Sequence, residues 1–175
     1  MTNLDLPMPK RINEAVSANP LSGAPGKAQA LDKSTTGPSV GRVCPVEGYA
    51  GDISPQLAFE WWSRGDAVLV DVRTDAEREW VGFISGAIPL AWKQWPGMAM
   101  NLAFAESLKA AVPAGKKVVL LCRSGVRSVS AARCATALGL SAYNILEGFE
   151  GDPDGDSQRG HTGGWRFHGL PWRQG

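Results

Sequence analysis

Short apolar runs alternate with helix-like segments from about residue 54 onward, and this alternation constrains the fold more than any other feature. Residues 67–72, 117–121 and 142–146 are apolar runs typical of strands buried on both faces. Ser54 followed by Pro55 predicts a helix start that ends near Gly65. Further helices are predicted over residues 75–80, 101–111 and 126–138, and a short edge strand over 86–90. The order predicts a single α/β domain with a central, mainly parallel sheet flanked by helices on both faces.

The chain of 175 residues suits one domain with short appendages. Residues 1–45 are rich in small and polar residues without sustained apolar periodicity, so we expect an extended or mobile N-terminal extension. Residues 46–151 form the predicted α/β domain. Residues 152–175 are rich in Gly and Trp, which indicates a C-terminal tail packed on that domain.

Composition and charge exclude several classes of protein. A net charge of +1 gives no general attraction to nucleic acid, and no apolar run is long enough to span a bilayer. The N-terminus lacks the continuous apolar stretch of a signal peptide. Three cysteines, Cys44, Cys122 and Cys134, make a poor disulfide framework and fit a reducing compartment. We therefore expect a cytoplasmic protein that binds neither nucleic acid nor membrane.

The segment after the predicted strand 117–121 concentrates the features of a reactive site. Ligands of open parallel sheets bind beyond the carboxyl ends of the strands, and Cys122 occupies that position. Gly125 permits a tight turn whose N–H groups form an anion nest, and the following helix adds its positive end. Arg123 and Arg127 add two positive charges. All these groups favour an ionised sulfur and can hold an anion beside it.

Four segments resemble one family. The run from Cys122 to Arg127 resembles the Cys-x-x-Gly-x-Arg loop of the rhodaneses, the thiosulfate sulfurtransferases. The Asp71-Val72-Arg73 run with Glu77 resembles the Asp-x-Arg-x-x-x-Glu stretch of that family. Residues 82–89 resemble its Gly-His-Ile-x-Gly-Ala segment, with Phe83 in place of His, and residues 146–148 its Leu-x-Gly ending. The resemblance covers roughly residues 52–151.

The resemblance implies a sulfurtransferase in which Cys122 takes a sulfane sulfur as a persulfide and passes it on. The donor would be thiosulfate or another small sulfur anion, and the acceptor cyanide, a thiol or a protein. No metal or cofactor is expected. The implied substrate-binding residues are Arg123, Ser124, Gly125, Val126, Arg127, Ser128 and Arg73. Asp71 and Glu77 would give structural support.

Two of these roles have alternatives. Arg127 either binds the anion or orients the loop through a carboxylate, with Asp71 as a possible partner. Arg73 either contacts the anion at the rim or pairs with Glu77, which is the simpler interpretation.

Other functions stay open on the sequence alone. A persulfide carrier or interaction module serving a protein partner would use the same fold and loop. Cysteine phosphatases and arsenate reductases share the fold but place five residues between Cys and Arg, whereas four separate Cys122 from Arg127. The shorter loop suits a lone sulfur better than a tetrahedral phosphate. Cys134, in an Ala-rich helix, is predicted to be a buried apolar residue.

Overall fold

The computed structural model describes residues 41–175 of the chain. Of the predicted extension, residues 1–45, the part up to residue 40 lies outside the described residues. The helices of the described part are α1 (Pro55–Ser63), α2 (Asp75–Val81), α3 (Phe104–Ala111) and α4 (Val126–Ala137). The strands are β1 (Cys44–Val46), β2 (Tyr49–Ile53), β3 (Ala67–Asp71), β4 (Ile88–Pro89), β5 (Lys93–Gln94), β6 (Ala99–Met100), β7 (Lys117–Leu121) and β8 (Ala142–Ile145).

The main sheet has six strands in the order β1-β2-β8-β7-β3-β4. All neighbouring strands are parallel except β1, which runs antiparallel to β2 at one edge. β5 and β6 form a separate antiparallel hairpin. The predicted α/β class with a mainly parallel sheet is confirmed.

Side chains of the central strands alternate between two apolar cores, one on each face of the sheet. Along β7, Val118 and Leu120 point into the core that contains α3 and α4 residues, together with Cys122 just after the strand. Val119 and Leu121 point into the other core, which contains α1 residues. This alternation explains why the strands read as continuous apolar runs: both faces are covered.

The tail takes part in the second core. Trp165 is fully buried there beside Phe149, and Phe83 and Arg173 form an isolated antiparallel bridge.

None of the helices in residues 41–175 could span a bilayer. The longest of them, α4, has 12 residues, whereas a transmembrane helix needs about 20.

Strand order places the end of β7 at a topological switch point. β4 lies on one side of β3, while β7, the next strand of the main sheet, lies on the other side. The segments that follow β3 and β7 therefore diverge around a crevice at the carboxyl edge of the sheet. Residues 72–77 and 122–128 meet there.

Candidate active site

Cys122 lies at the floor of a cavity of about 700 Å³. The residue is only 1% exposed, so reagents reach its sulfur through that cavity. Its position continues the side-chain alternation of β7, which puts its side chain on the α4 side of the sheet. The Sγ atom lies 3.2 Å from the hydroxyl of Ser128, in the first turn of α4.

The loop that follows Cys122 offers free backbone donors. Gly125, at φ +86°, is the N-cap of α4 and supplies no side-chain cap. Within residues 41–175, none of the backbone N–H groups of residues 123–128 donates a hydrogen bond to another residue. Unpaired N–H groups at a helix N-terminus favour a bound anion.

Backbone contacts from the segment after β8 hold this loop in place. The N–H groups of Phe149 and Glu150 donate to the carbonyl oxygens of Cys122 and Arg123, at 2.8 and 2.9 Å. Gly148 sits directly against the loop, where a Cβ atom would come within 2.4 Å of the Cys122 carbonyl oxygen. Its φ of +62° and this close approach together require glycine.

Arg127 forms a two-pronged ion pair with Glu77, at 2.7 and 2.5 Å. Arg127 is thus paired with a carboxylate, and this carboxylate is Glu77 rather than Asp71, the partner that the sequence suggested. Burial alone would raise the pKa of Glu77; hydrogen bonds from Arg127 and Thr74 and the Arg127 charge outweigh it and lower the pKa to about 2. Burial opposes a charged Arg127, yet the bonds and charge of Glu77 raise its pKa, with smaller contributions from Cys122 and Asp71.

Glu77 also takes part in capping helix α2. Thr74 is the N-cap: its hydroxyl accepts from the Glu77 N–H while the Glu77 carboxylate accepts from the Thr74 N–H, a capping box. One carboxylate therefore joins the start of α2 to the start of α4 across the crevice.

Arg73 does not contact the cavity, contrary to the prediction of a rim anion contact. It is fully buried, pairs with Asp71 at 2.6 Å and donates to the Gly82 carbonyl oxygen at 2.9 Å. The predicted Arg73–Glu77 pair is also wrong. The backbone N–H of Arg73 bonds to Asp71 as well, so the side chain folds back on its own turn and stacks 3.8 Å from the Phe149 ring.

A chain of buried polar groups runs from Cys122 away from the cavity. The Ser128 hydroxyl lies 2.6 Å from Asn144 Oδ1, and Asn144 Nδ2 donates to Asp52 at 2.8 Å. Tyr49 donates to the same Asp52 oxygen at 2.7 Å, and burial together with Asp52 raises the pKa of Tyr49 to about 12. Ser128 has one proton and two acceptors, so it can accept from a thiol while bonding Asn144, or turn and donate to a thiolate.

The predicted loop residues divide into two groups. Arg123, Ser124, Val126 and Arg127 line the cavity with Cys122, whereas Gly125 and Ser128 are buried behind it. Sequence reasoning missed Asn144 and Asp52, which carry no local motif. It also missed the cavity walls made by Trp80, Trp95, Met98 and Arg159. Only Glu77 had an unused signal, since Thr-x-x-Glu is the sequence of a capping box.

The rhodanese-like domain model matches residues 54–151, more than half of the chain. The chain belongs to the rhodanese-like domain family. The predicted family resemblance is thus confirmed. Membership supports a sulfurtransferase-type or related activity.

This chain is similar to several proteins over nearly their whole length. The crystal structure of Rv0390 from M. tuberculosis has 44% sequence identity and a TM-score of 0.68, over 73% of this chain and 99% of that one. Uncharacterized proteins of Rickettsia conorii and Rickettsia rickettsii are 32% and 31% identical, each over 77% of this chain and 98% of its own length.

Proposed function

We propose that this rhodanese-like protein is a sulfurtransferase that moves a sulfane sulfur from thiosulfate, or a similar anion, to a thiophilic acceptor. The observation that carries the proposal is the placement of Cys122 on the cavity floor, beside a loop whose N–H groups have no other partner among residues 41–175. A nucleophile next to free donors suits attack on an anionic sulfur compound.

The proposed cycle has two steps. Cys122 Sγ attacks the outer sulfur of thiosulfate; a bond forms between these two sulfurs, the S–S bond of thiosulfate breaks, and sulfite leaves with the electron pair. An acceptor nucleophile then attacks the outer sulfur of the Cys122 persulfide, and the pair of the broken S–S bond returns to Cys122. The N–H groups of residues 123–128 would hold the negative charge in both steps, and Arg123 adds an exposed positive charge at the entrance.

Ser128 is suited to both states of the nucleophile. Its hydroxyl reaches both Sγ and Asn144 Oδ1. Rotation of the hydroxyl alone therefore lets Ser128 accept from a thiol or donate to a thiolate. Arg127 acts through Glu77 as a positioning residue, because its guanidinium is already held by two hydrogen bonds.

Mass spectrometry of the protein after incubation with thiosulfate tests the proposal. We expect a gain of one sulfur atom that maps to Cys122, and release of one sulfite per loaded site. Cys122→Ser should show no gain, while Cys134→Ser, a change of a partly buried thiol in α4, should load normally. Sulfur on Cys44 or Cys134 alone would contradict the proposal, as would turnover of p-nitrophenyl phosphate without sulfur uptake.

Multiple turnover separates an enzyme from a carrier. If thiosulfate and cyanide give repeated cycles, the protein acts as a free-standing sulfurtransferase. If Cys122 loads but discharges only to a protein, the persulfide-carrier alternative is correct, and the fold and loop serve a partner instead.

A further inference from the structure

The cavity above Cys122 is larger than a sulfur donor requires. Its volume is about 700 Å³. Thiosulfate has five heavy atoms, so its volume is on the order of 100 Å³ if each water-sized group takes about 30 Å³. Cavities of roughly 300–1,000 Å³ are typical of sites that bind drug-sized organic molecules. Most of this space is therefore left for the second substrate.

The walls of the unused space are apolar and exposed. Trp80, Trp95, Met98 and Val126 line the cavity, with 66%, 59%, 37% and 72% of their surface exposed. The two tryptophan rings come from different elements, the end of α2 and the β5–β6 turn, and meet edge to face at 6.3 Å. Single exposed apolar side chains are ordinary, but four around one cavity indicate a surface that a ligand covers.

The charged groups at the rim favour a negative ligand. Arg123 is exposed, and within residues 41–175 neither Arg123 nor Arg159 forms an ion pair. In the described part of the chain, Arg159 donates to the Gly151 carbonyl oxygen alone, at 2.5 Å. Glu77 is neutralised by Arg127, which leaves Asp152 as the unpaired acid among the cavity residues. Among the described residues, the cavity rim therefore has two arginines without an ion-pair partner, Arg123 and Arg159, and one unpaired carboxylate, Asp152.

We infer that the sulfur acceptor is an organic thiol with a flat apolar body and an anionic group, packed against Trp80 and Trp95 with its charge toward Arg123 and Arg159. This inference rests on the proposed function. The acceptor thiolate attacks the outer sulfur of the Cys122 persulfide; the new S–S bond forms on the acceptor, and the electron pair of the broken bond returns to Cys122. The product is the persulfide of the acceptor, and no further oxidant or reductant is needed.

A single-turnover experiment tests the acceptor. The protein is loaded with thiosulfate, freed of excess donor and mixed with four probes: cyanide, 3-mercaptopropionate, benzyl mercaptan and 4-(mercaptomethyl)benzoate. The last combines the apolar body with the anion, and the two before it each carry one feature. We expect 4-(mercaptomethyl)benzoate to discharge the persulfide about tenfold faster than either single-feature thiol.

Variants link this preference to the cavity walls. In Trp80→Ala and Trp95→Ala, the rate ratio of 4-(mercaptomethyl)benzoate to cyanide should fall about tenfold. In Arg159→Ala the ratio of 4-(mercaptomethyl)benzoate to benzyl mercaptan should fall severalfold. Phe167→Ala, an exposed aromatic outside the cavity lining, serves as the matched control and should keep both ratios.

Three results would overturn the inference: equal rates for the small thiols, unchanged ratios in both tryptophan variants, or, with reduced thioredoxin added as a fifth probe, faster discharge to that protein than to every small thiol. The last would identify a protein as the occupant. Failure of the proposed function itself looks different, because no persulfide would then form on Cys122 before any acceptor is added.

Discussion

At the residue scale, the Glu77 carboxylate has two structural roles in the site. It accepts from the backbone at the start of α2 and pairs with Arg127 at the start of α4, so its charge stabilises both sides of the crevice. Its pKa is lowered from 4.5 to about 2. A carboxylate with a lowered pKa adds stability that is fully present above the unfolded value near 4.5 and is lost as the pH falls through about 2.

We predict that Glu77→Gln lowers the free energy of unfolding by roughly 1–3 kcal/mol near neutral pH, after allowance for screening by water. The gap between wild type and variant should narrow as the pH falls from about 4.5 to about 2. Urea unfolding at several pH values measures it. The control is Glu79→Gln, an exposed change on the same helix that should cost less than about 0.5 kcal/mol. A gap that stays constant down to pH 2 would argue against the Glu77–Arg127 pair.

Sequence reasoning located Cys122 because a cysteine directly after a buried strand and before a helix has one available position in a parallel sheet. It misplaced Arg73 because pairing depends on side-chain direction. Arg73 and Glu77 are four residues apart, which suggests a pair on a helix, but Arg73 precedes α2 and turns back onto Asp71. The Ser128–Asn144–Asp52 chain joins three separate elements, so no local pattern could reveal it.

At the element scale, the loop after Cys122 depends on the turn after β8. Gly148 touches it so closely that a Cβ atom would lie 2.4–2.6 Å from backbone atoms of residues 122–124. We predict that Gly148→Ala displaces the loop, lowers the free energy of unfolding by about 1–3 kcal/mol and slows sulfur uptake at least tenfold. Gly155→Ala, where nothing lies within 4 Å and φ is not in the left-handed region, should leave both unchanged. Normal uptake by Gly148→Ala would show that the loop has another support.

The elements with strong patterns were predicted to within a few residues. β7 has the predicted bounds, and the starts of α1 and α4 follow from Ser54–Pro55 and the loop glycine. The β1–β2 and β5–β6 hairpins were missed, because their strands have only two to five residues and none contains a sustained apolar run. Trp95 and Met98 lie in the second hairpin, so the cavity walls were missed with it.

At the scale of the whole molecule, the tail connects the second core to the candidate active site. The family match ends at residue 151, yet Trp165 is fully buried against residues of α1, with its ring 5.9 Å from that of Phe59. Its indole N–H donates to the Pro171 carbonyl oxygen, and its backbone N–H donates to the carbonyl oxygen of Gly148. The chain beyond the family match thereby reaches the glycine that supports the Cys122 loop.

Removal of this one side chain should therefore affect both stability and chemistry. Trp165→Ala leaves a large cavity in the core, and we predict a loss of about 3–5 kcal/mol in the free energy of unfolding. Sulfur uptake under folded conditions should also slow, because the contact that holds Gly148 loosens. Phe167→Ala, two residues away and half exposed, should cost less than about 1 kcal/mol and leave uptake intact. Urea unfolding and thiosulfate loading of both variants make the comparison. Equal losses of unfolding free energy in the two variants would mean that the tail only packs on the surface. A loss of stability with normal sulfur uptake in Trp165→Ala would mean that the tail supports the core but not the loop after Cys122.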